Sequence, residues 1–398
     1  SDLVNKVGVY DDFFQAGGDS ILVIRLVSKL NKEFKSQITI RDVFKLRCIA
    51  KIAELIISIT HIYQEHEIYE PFSLVNINTY RGRIPDLDLV EDIYPASYLQ
   101  MGMLLESDLD DKGTYHDVFS YSIKSQFNQD RFLLIWNQLV KKHELLRAAF
   151  VLNNENGWSV VIYKDIEIVY KANINIDTKQ LIISERLNSF DYSIPGLFRL
   201  FVNIREDSFD FIFSFHHAIT DGWSVASLVN EFIQAYTNNN FHIDGLKLRY
   251  GEFIKNERDA IYDTDNSNFW KEYLSGVSVT KVNWKFDNTT SENSLYTSLF
   301  SLKEEQVKLV HDVAKKLKVS VDSIFLLAYL KTLAYFTNNS DITIGLVVNN
   351  RLEKDGGDNL FGLFLNTMPF RFNLNNPSKD LDNLLDIFNL KINLQKYK

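Results

Sequence analysis

Apolar residues return every three or four positions through the first sixty residues. Val23, Val27, Leu30 and Phe34 stand at i, i+4, i+7 and i+11, one face of a helix over "SILVIRLVSKLNKEF". Thr39 is a good cap for a short helix in "TIRDVFKLR". "CIAKIAELIISIT" is amphipathic through Ile49, Ile52, Ala53, Ile56 and Ile57. Residues 1–60 therefore read as a small helical unit. Periodicity is lost over 61–90, which predicts a linker or a loosely packed strap.

From Glu91 the texture changes. "QDRFLLIWNQLVKKHELLRAAF" predicts one long helix with Phe132, Ile135, Trp136 and Leu139 on one side. "WSVVIYKD" and "EIVYKA" read as strands, and "RLFVNIREDSFDFIFSFHH" as two strands joined by a turn around Glu206 and Asp207. Helices are expected in "SVASLVNEFIQAY", "NFWKEYL", "KEEQVKLVHDVAKKL" and "SVDSIFLLAYLKTLAYF", and a strand in "DITIGLVV". Strands alternating with helices argue for an α/β or α+β body. A length of 398 residues suggests two or three domains.

Charge and cysteine usage narrow the function classes. The net charge of −9 disfavours a general nucleic-acid binder. The most apolar run, in the helix expected around Lys331, is short and interrupted by that lysine, so no membrane span is expected. The first ten residues do not read as a signal peptide. Cys48 is the single cysteine, so no internal disulfide can form, and a cytoplasmic location is expected.

Two stretches carry candidate chemistry. Gly17, Gly18 and Asp19 lead into Ser20, which opens the first helix. Its hydroxyl can cap that helix, or it can carry a phosphate facing the free N–H groups and the helix dipole. The second stretch is "FDFIFSFHHAITDGWS", 209–224. Strand alternation puts Phe209, Phe211, Phe213, Phe215 and His217 on one face, and Asp210, Ile212, Ser214 and His216 on the other. The two histidines cannot do the same job. Adjacent strand histidines diverge and no Cys/His cluster exists, so zinc is disfavoured. A pair of core histidines is one reading. The acid at Asp221, the glycine at Gly222 and the helix start favour the other, a histidine poised for acid–base work or substrate positioning.

"HHAITDG" matches the HHxxxDG motif, and with it the chain resembles condensation domains of nonribosomal peptide synthetases. Further motifs follow in that family's order: "YPASYLQMGML" (94–104), "KHELLRAAF" (142–150), "RYGEFIKNE" (249–257) and "GLFLNTMPFR" (362–371). "DDFFQAGGDSI" resembles a peptidyl carrier domain, which favours modification of Ser20 over the cap. The resemblance implies a multidomain chain: a carrier domain over 1–60, a linker over 61–90, and a two-lobed condensation domain with lobes at 91–260 and 261–398. The carrier would be a small all-α bundle. The condensation lobes would be α/β, each similar to chloramphenicol acetyltransferase, with the site in a tunnel between them. The carrier family has a helix before "VGVYDDFF" and the condensation family runs on well past "GLFLNTMP". A missing first carrier helix, a truncated second lobe and a fragment of a larger protein are therefore expected.

The resemblance also implies roles. Ser20 would carry 4′-phosphopantetheine and the thioester of an aminoacyl or peptidyl donor. His217 would act at the site, His216 would support the turn, and Gly222 would leave room for the bound thioester. Asp221 would pair with Arg147, since a bidentate Arg–carboxylate contact holds one geometry. No metal is implied. The implied reaction is amide formation between the donor and the amine on a downstream aminoacyl carrier. Implied partners are upstream and downstream domains of one assembly line and a phosphopantetheinyl transferase, with no nucleic acid and no membrane. Alternatives are a dual epimerisation and condensation domain, a free-standing acyltransferase using coenzyme A, and an inactive docking platform.

Overall fold

The computed structural model describes the chain except residues 1–6, 15, 17, 19, 60–68, 110–112, 154–156, 175–176, 239, 283–297, 355, 375–378 and 398. The chain opens with α1 (Ser20–Phe34), α2 (Ile40–Leu46) and α3 (Ile49–Ile59). Thr39 caps α2, accepting the Asp42 N–H while Asp42 reaches back to the Thr39 N–H. Val23, Val27, Ile40, Val43, Ile52 and Ile56 form their common core. Ile49 and Ile57 lie outside it and are exposed, so the buried stripe of α3 is narrower than the sequence pattern.

The following elements are β1 (Val90–Pro95), α4 (Tyr98–Leu109), β2 (His116–Ile123), α5 (Gln129–Lys142), β3 (Ala148–Asn153), β4 (Gly157–Tyr163), β5 (Tyr170–Ile174), α6 (Thr178–Arg186), β6 (Phe198–Ile204), β7 (Phe209–His216), α7 (Gly222–Thr237) and α8 (Tyr250–Tyr262). They make a three-stranded sheet ordered β1-β4-β3 and a four-stranded sheet ordered β2-β7-β6-β5. β7 is paired on both sides, with β2 and β6 antiparallel to it. The chain ends with α9 (Thr264–Tyr273), α10 (Glu304–Leu317), α11 (Val321–Thr337), β8 (Asp341–Asn349), β9 (Leu365–Asn373) and α12 (Asp380–Leu394), β8 and β9 forming a two-stranded sheet.

Two compact units result. One gathers the described residues of 64–262 and 349–365, the other those of 1–63, 263–348 and 366–398. A cut at 260/261 misses the return of 349–365 to the first unit. In the second unit, Leu330, Ile342, Phe370 and Ile387 centre the core, and Phe44 of α2 packs on its margin. Among the described residues no single helix is long and apolar enough to cross a membrane; α10 and α11 meet at a break bent by 105°.

Two sequence expectations change. The long helix read through Phe150 ends at Lys142, and the chain continues through a 3-10 turn, Glu144–Arg147, into β3. From Glu144 to Phe150 every side chain is buried. A helix over these seven residues would leave part of itself facing outward, whereas a turn feeding an inner strand buries them all. In the stretch read as a linker, Tyr80 and Ile84 are buried against Val90, Ile93 and Val161, and the Tyr69 hydroxyl donates to Asp92 at 3.0 Å. Its described part is thus anchored at a few buried residues while most of the others are exposed or half-buried; irregular aromatic spacing hid these anchors.

Candidate functional site

The site is built from β7 outward. Phe209, Phe211, Phe213 and Phe215 face one way and are fully buried against Phe132 and Trp136 of α5 and Phe232 of α7. Asp210, Ser214 and His216 face the other way. Residues directly opposite in an antiparallel pair share a face, so Ser122 meets Asp210 and His116 meets His216 on β2.

His216 ends the strand. Its Nδ1 accepts the Ala218 N–H at 3.1 Å, so Nε2 carries the proton and donates to Ser107 Oγ at 3.1 Å. Burial, with His116 and His217 nearby, lowers it to about 3, and the ring is neutral at pH 7. It braces the turn. His217 lies one residue beyond the strand, in a 3-10 turn spanning His217–Ile219. Its N–H donates to the Tyr115 carbonyl at 2.8 Å. The imidazole is half-buried. Its Nδ1 is buried with no hydrogen-bond partner among the described residues, which leaves Nε2 as the nitrogen open to a ligand. The alternation argument therefore stops at His216; the two rings make different contacts, His216 with Ser107 and Tyr192 and His217 with Tyr115.

Asp221 caps α7, accepting the Ser224 N–H at 2.8 Å. Its ion pair is with Arg351, at 2.8 Å and with both side chains 1 % exposed. The other carboxylate oxygen accepts the Phe364 N–H at 3.1 Å. Arg351 also donates to Ser224 Oγ (2.6 Å) and the Leu360 carbonyl (2.6 Å), and lies over the Phe364 ring. Ser224 Oγ donates to the Gly362 carbonyl at 2.8 Å. A Cβ at Gly362 would meet the Tyr250 ring at 2.5 Å, so glycine is needed for that approach. The expected pairing of Asp221 with Arg147 is thus replaced. Arg147 is buried, its Nε donating to the Val140 carbonyl (3.0 Å) and its Nη1 to Glu91 (2.7 Å) and the Tyr163 carbonyl. Both partners are already saturated elsewhere. Arg147 ties the end of α5 to β4, and Arg351 ties the turn after β7 to the 349–365 segment.

Gly222 opens α7 and is exposed, and a Cβ there would meet nothing within 4 Å. Gln100, in the "LQMGML" stretch, is fully buried and donates to the Ala218 carbonyl at 2.8 Å, a second brace on the histidine turn. Arg351, Ser224 and Gln100 were missed as site residues. Ser224 lies within the 209–224 stretch and Gln100 and Gly362 within the motifs at 94–104 and 362–371; nothing in the sequence singles out Arg351.

Ser20 is the first residue of α1; its side-chain position lies outside the described residues. A Cβ on Gly18 would fall 2.2 Å from the Phe13 ring, and Gly18 N–H is held by the Phe13 carbonyl at 2.9 Å. The serine opens a helix of 15 residues.

The mixed α/β body has the chloramphenicol acetyltransferase-like fold of condensation domains. Residues 90–390 match the model of the condensation domain, and the chain belongs to that family. Residues 4–56 match the model of the phosphopantetheine attachment site, so a carrier precedes the condensation domain. The chain is 26% identical over 388 residues to AMB antimetabolite synthetase AmbE of Pseudomonas aeruginosa, covering 92% of this chain and 18% of that one. It is 23% identical over 392 residues to gramicidin S synthase 2 of Brevibacillus brevis, covering 96% and 8%. The chain thus spans less than a fifth of either relative. The condensation domain from monacolin K polyketide synthase MokA has the same fold, with a TM-score of 0.65 at 17% identity, covering 77% of this chain and 74% of that one.

Proposed function

We propose that the chain forms amide bonds in nonribosomal peptide synthesis, taking its donor from the carrier at Ser20 and its acceptor amine from a downstream aminoacyl carrier. The observation that carries this reading is the division of labour at the histidine turn. His216 is committed to the scaffold, while His217 is held by its backbone with Nε2 open.

Phosphopantetheine esterified to Ser20 would supply a terminal thiol on which the acyl group rides as a thioester. The reaction class is acyl transfer from sulfur to nitrogen. A C–N bond forms, the C–S bond breaks, and one proton passes from the amine to the departing sulfur. His217 Nε2 is the group that accepts a proton or hydrogen bond from the attacking amine. No carboxylate meets His217 Nδ1 among the described residues, so this is not a triad. An α-amine titrates near pH ~8, so its deprotonation needs little help, and holding the amine in line supplies much of the rate. Asp221, Arg351 and Gln100 keep the turn in one geometry. Gly222 leaves its space to the acyl group.

This reading places the chain in the cytoplasm, with a phosphopantetheinyl transferase as the partner that modifies Ser20. The test is to incubate the full-length protein with coenzyme A and a promiscuous transferase, load an aminoacyl donor, add an aminoacyl carrier and follow dipeptide by mass. One phosphopantetheine on Ser20 and a dipeptide that disappears in Ser20→Ala are expected. Modification at another residue, or dipeptide formed at full rate by Ser20→Ala, contradicts the reading.

A further inference from the structure

Beside His217 lies a turn that is fastened unusually firmly. Its backbone runs from Gly113 to His116, where the His116 N–H donates to the Gly113 carbonyl at 3.0 Å. Gly113 has φ +74°, and a Cβ there would stand 2.1 Å from the Arg186 carbonyl at the end of α6. The Thr114 carbonyl accepts Ser107 Oγ at 2.9 Å, and that same hydroxyl meets His216. His116 is buried, its Nε2 donating to Ser214 Oγ at 2.8 Å, and Ser214 in turn donating to Glu185 at 2.8 Å. Glu185 is paired with Arg199.

Between these fastenings stands Tyr115, with φ +62°. The left-handed region disfavours a bulky side chain, and such residues persist where the surroundings over-determine them, often at working sites. Tyr115 makes two contacts that bear on this. Its carbonyl receives the His217 N–H at 2.8 Å. Its ring meets the His217 imidazole edge-on, with centroids 6.3 Å apart and planes at 81°. An edge-to-face arrangement at this distance is favourable and directional. His217 Nδ1 has no hydrogen bond among the described residues to orient the ring, which leaves the edge-on Tyr115 contact as a directional hold on the imidazole.

We infer that Tyr115 is a positioning residue for His217: the strained turn presents its ring so that the imidazole keeps Nε2 directed at the reacting amine. This rests on His217 acting as proposed above. It assigns a role to the tyrosine ring and none to its hydroxyl.

The test uses the full-length protein with loaded Ser20 and an aminoacyl carrier as acceptor, measuring kcat, KM and Tm. Asparagine accepts the left-handed backbone but lacks the ring. Tyr115→Asn should lower kcat about 10- to 100-fold, the loss expected from misplacing a reacting group by about an ångström, with KM and Tm little changed. Tyr115→Phe should restore most of that rate. In the His217→Ala background, Tyr115→Asn should cost nothing further, because both changes act through one ring. If Tyr115→Asn keeps the full rate while His217→Ala loses it, the inference fails and the functional reading stands. The inference fails equally if Tyr115→Phe is as slow as Tyr115→Asn, or if the two losses multiply. If His217→Ala keeps its rate, the functional reading itself falls, and the role of Tyr115 with it.

Discussion

Removing the Asp221 carboxylate should unlock the turn after β7. In Asp221→Ala, Arg351 stays 1 % exposed with its charge uncompensated. Breaking one partner of a buried pair costs about 3–5 kcal/mol. The same substitution removes the cap of α7, worth about 1 kcal/mol, and leaves the Phe364 N–H without its acceptor. These losses share one side chain and do not simply add, so about 4 kcal/mol is the expected total. For a unit of this size each kcal/mol moves Tm by about 2–4 °C, giving a drop of about 8–16 °C. The assay is a melt followed by far-ultraviolet circular dichroism, with a double-mutant cycle. Arg351→Met in the Asp221→Ala background should recover part of the loss, because an empty pair is cheaper than a lone buried charge. Asp221→Ala and Arg147→Ala should instead add to within about 0.5 kcal/mol. A drop of less than 3 °C, or coupling of Asp221 to Arg147 and not to Arg351, would refute the reasoning.

Two further outcomes follow from the same geometry. Burial, with Arg199 adding to it, lowers His116 to about 4. A depressed histidine is protonated more readily unfolded than folded, so its contribution is full above the ordinary value near pH ~6.5 and fades as pH falls toward 4. His116→Gln should therefore flatten stability against pH in that window by up to about 1.4 kcal/mol per pH unit; an unchanged slope in urea titrations at pH 6.5, 5.5 and 4.5 would contradict this. Gly222→Ala adds a methyl to open space and improves helix propensity, so Tm should hold or rise while dipeptide formation falls. A variant that melts early would place packing, rather than substrate room, behind the glycine.

Local physics was legible in the sequence and long-range pairing was not. The alternation from Phe209 to Phe215 and the apolar face of α7 announced the strand and helix that carry the histidine turn. The capping box at Thr39 marked α2. The end of α5 was hidden because the apolar residues beyond it also recur, though they are buried on all sides within a turn and a strand. The resemblance supplied an arginine partner for Asp221, but spacing does not choose among arginines. Arg147 was taken from a motif, whereas Arg351 reaches the carboxylate from a segment 130 residues on. Tyr115 carried no signal, since tyrosine is a residue no pattern assigns to a left-handed turn.

The most direct measurement compares His217→Ala with His216→Ala in the full-length protein, each with a melt and a dipeptide assay. His217 is half-buried with Nε2 open, so its loss should leave Tm within a few degrees and lower the rate by about 100-fold or more. His216 holds Ser107 Oγ and the Ala218 N–H, so its loss should lower Tm first, with buried partners left unpaired. A stable His216→Ala that loses only catalysis beside a His217→Ala that keeps its rate would reverse the assignment, and full rate in both would remove the histidine turn from the reaction.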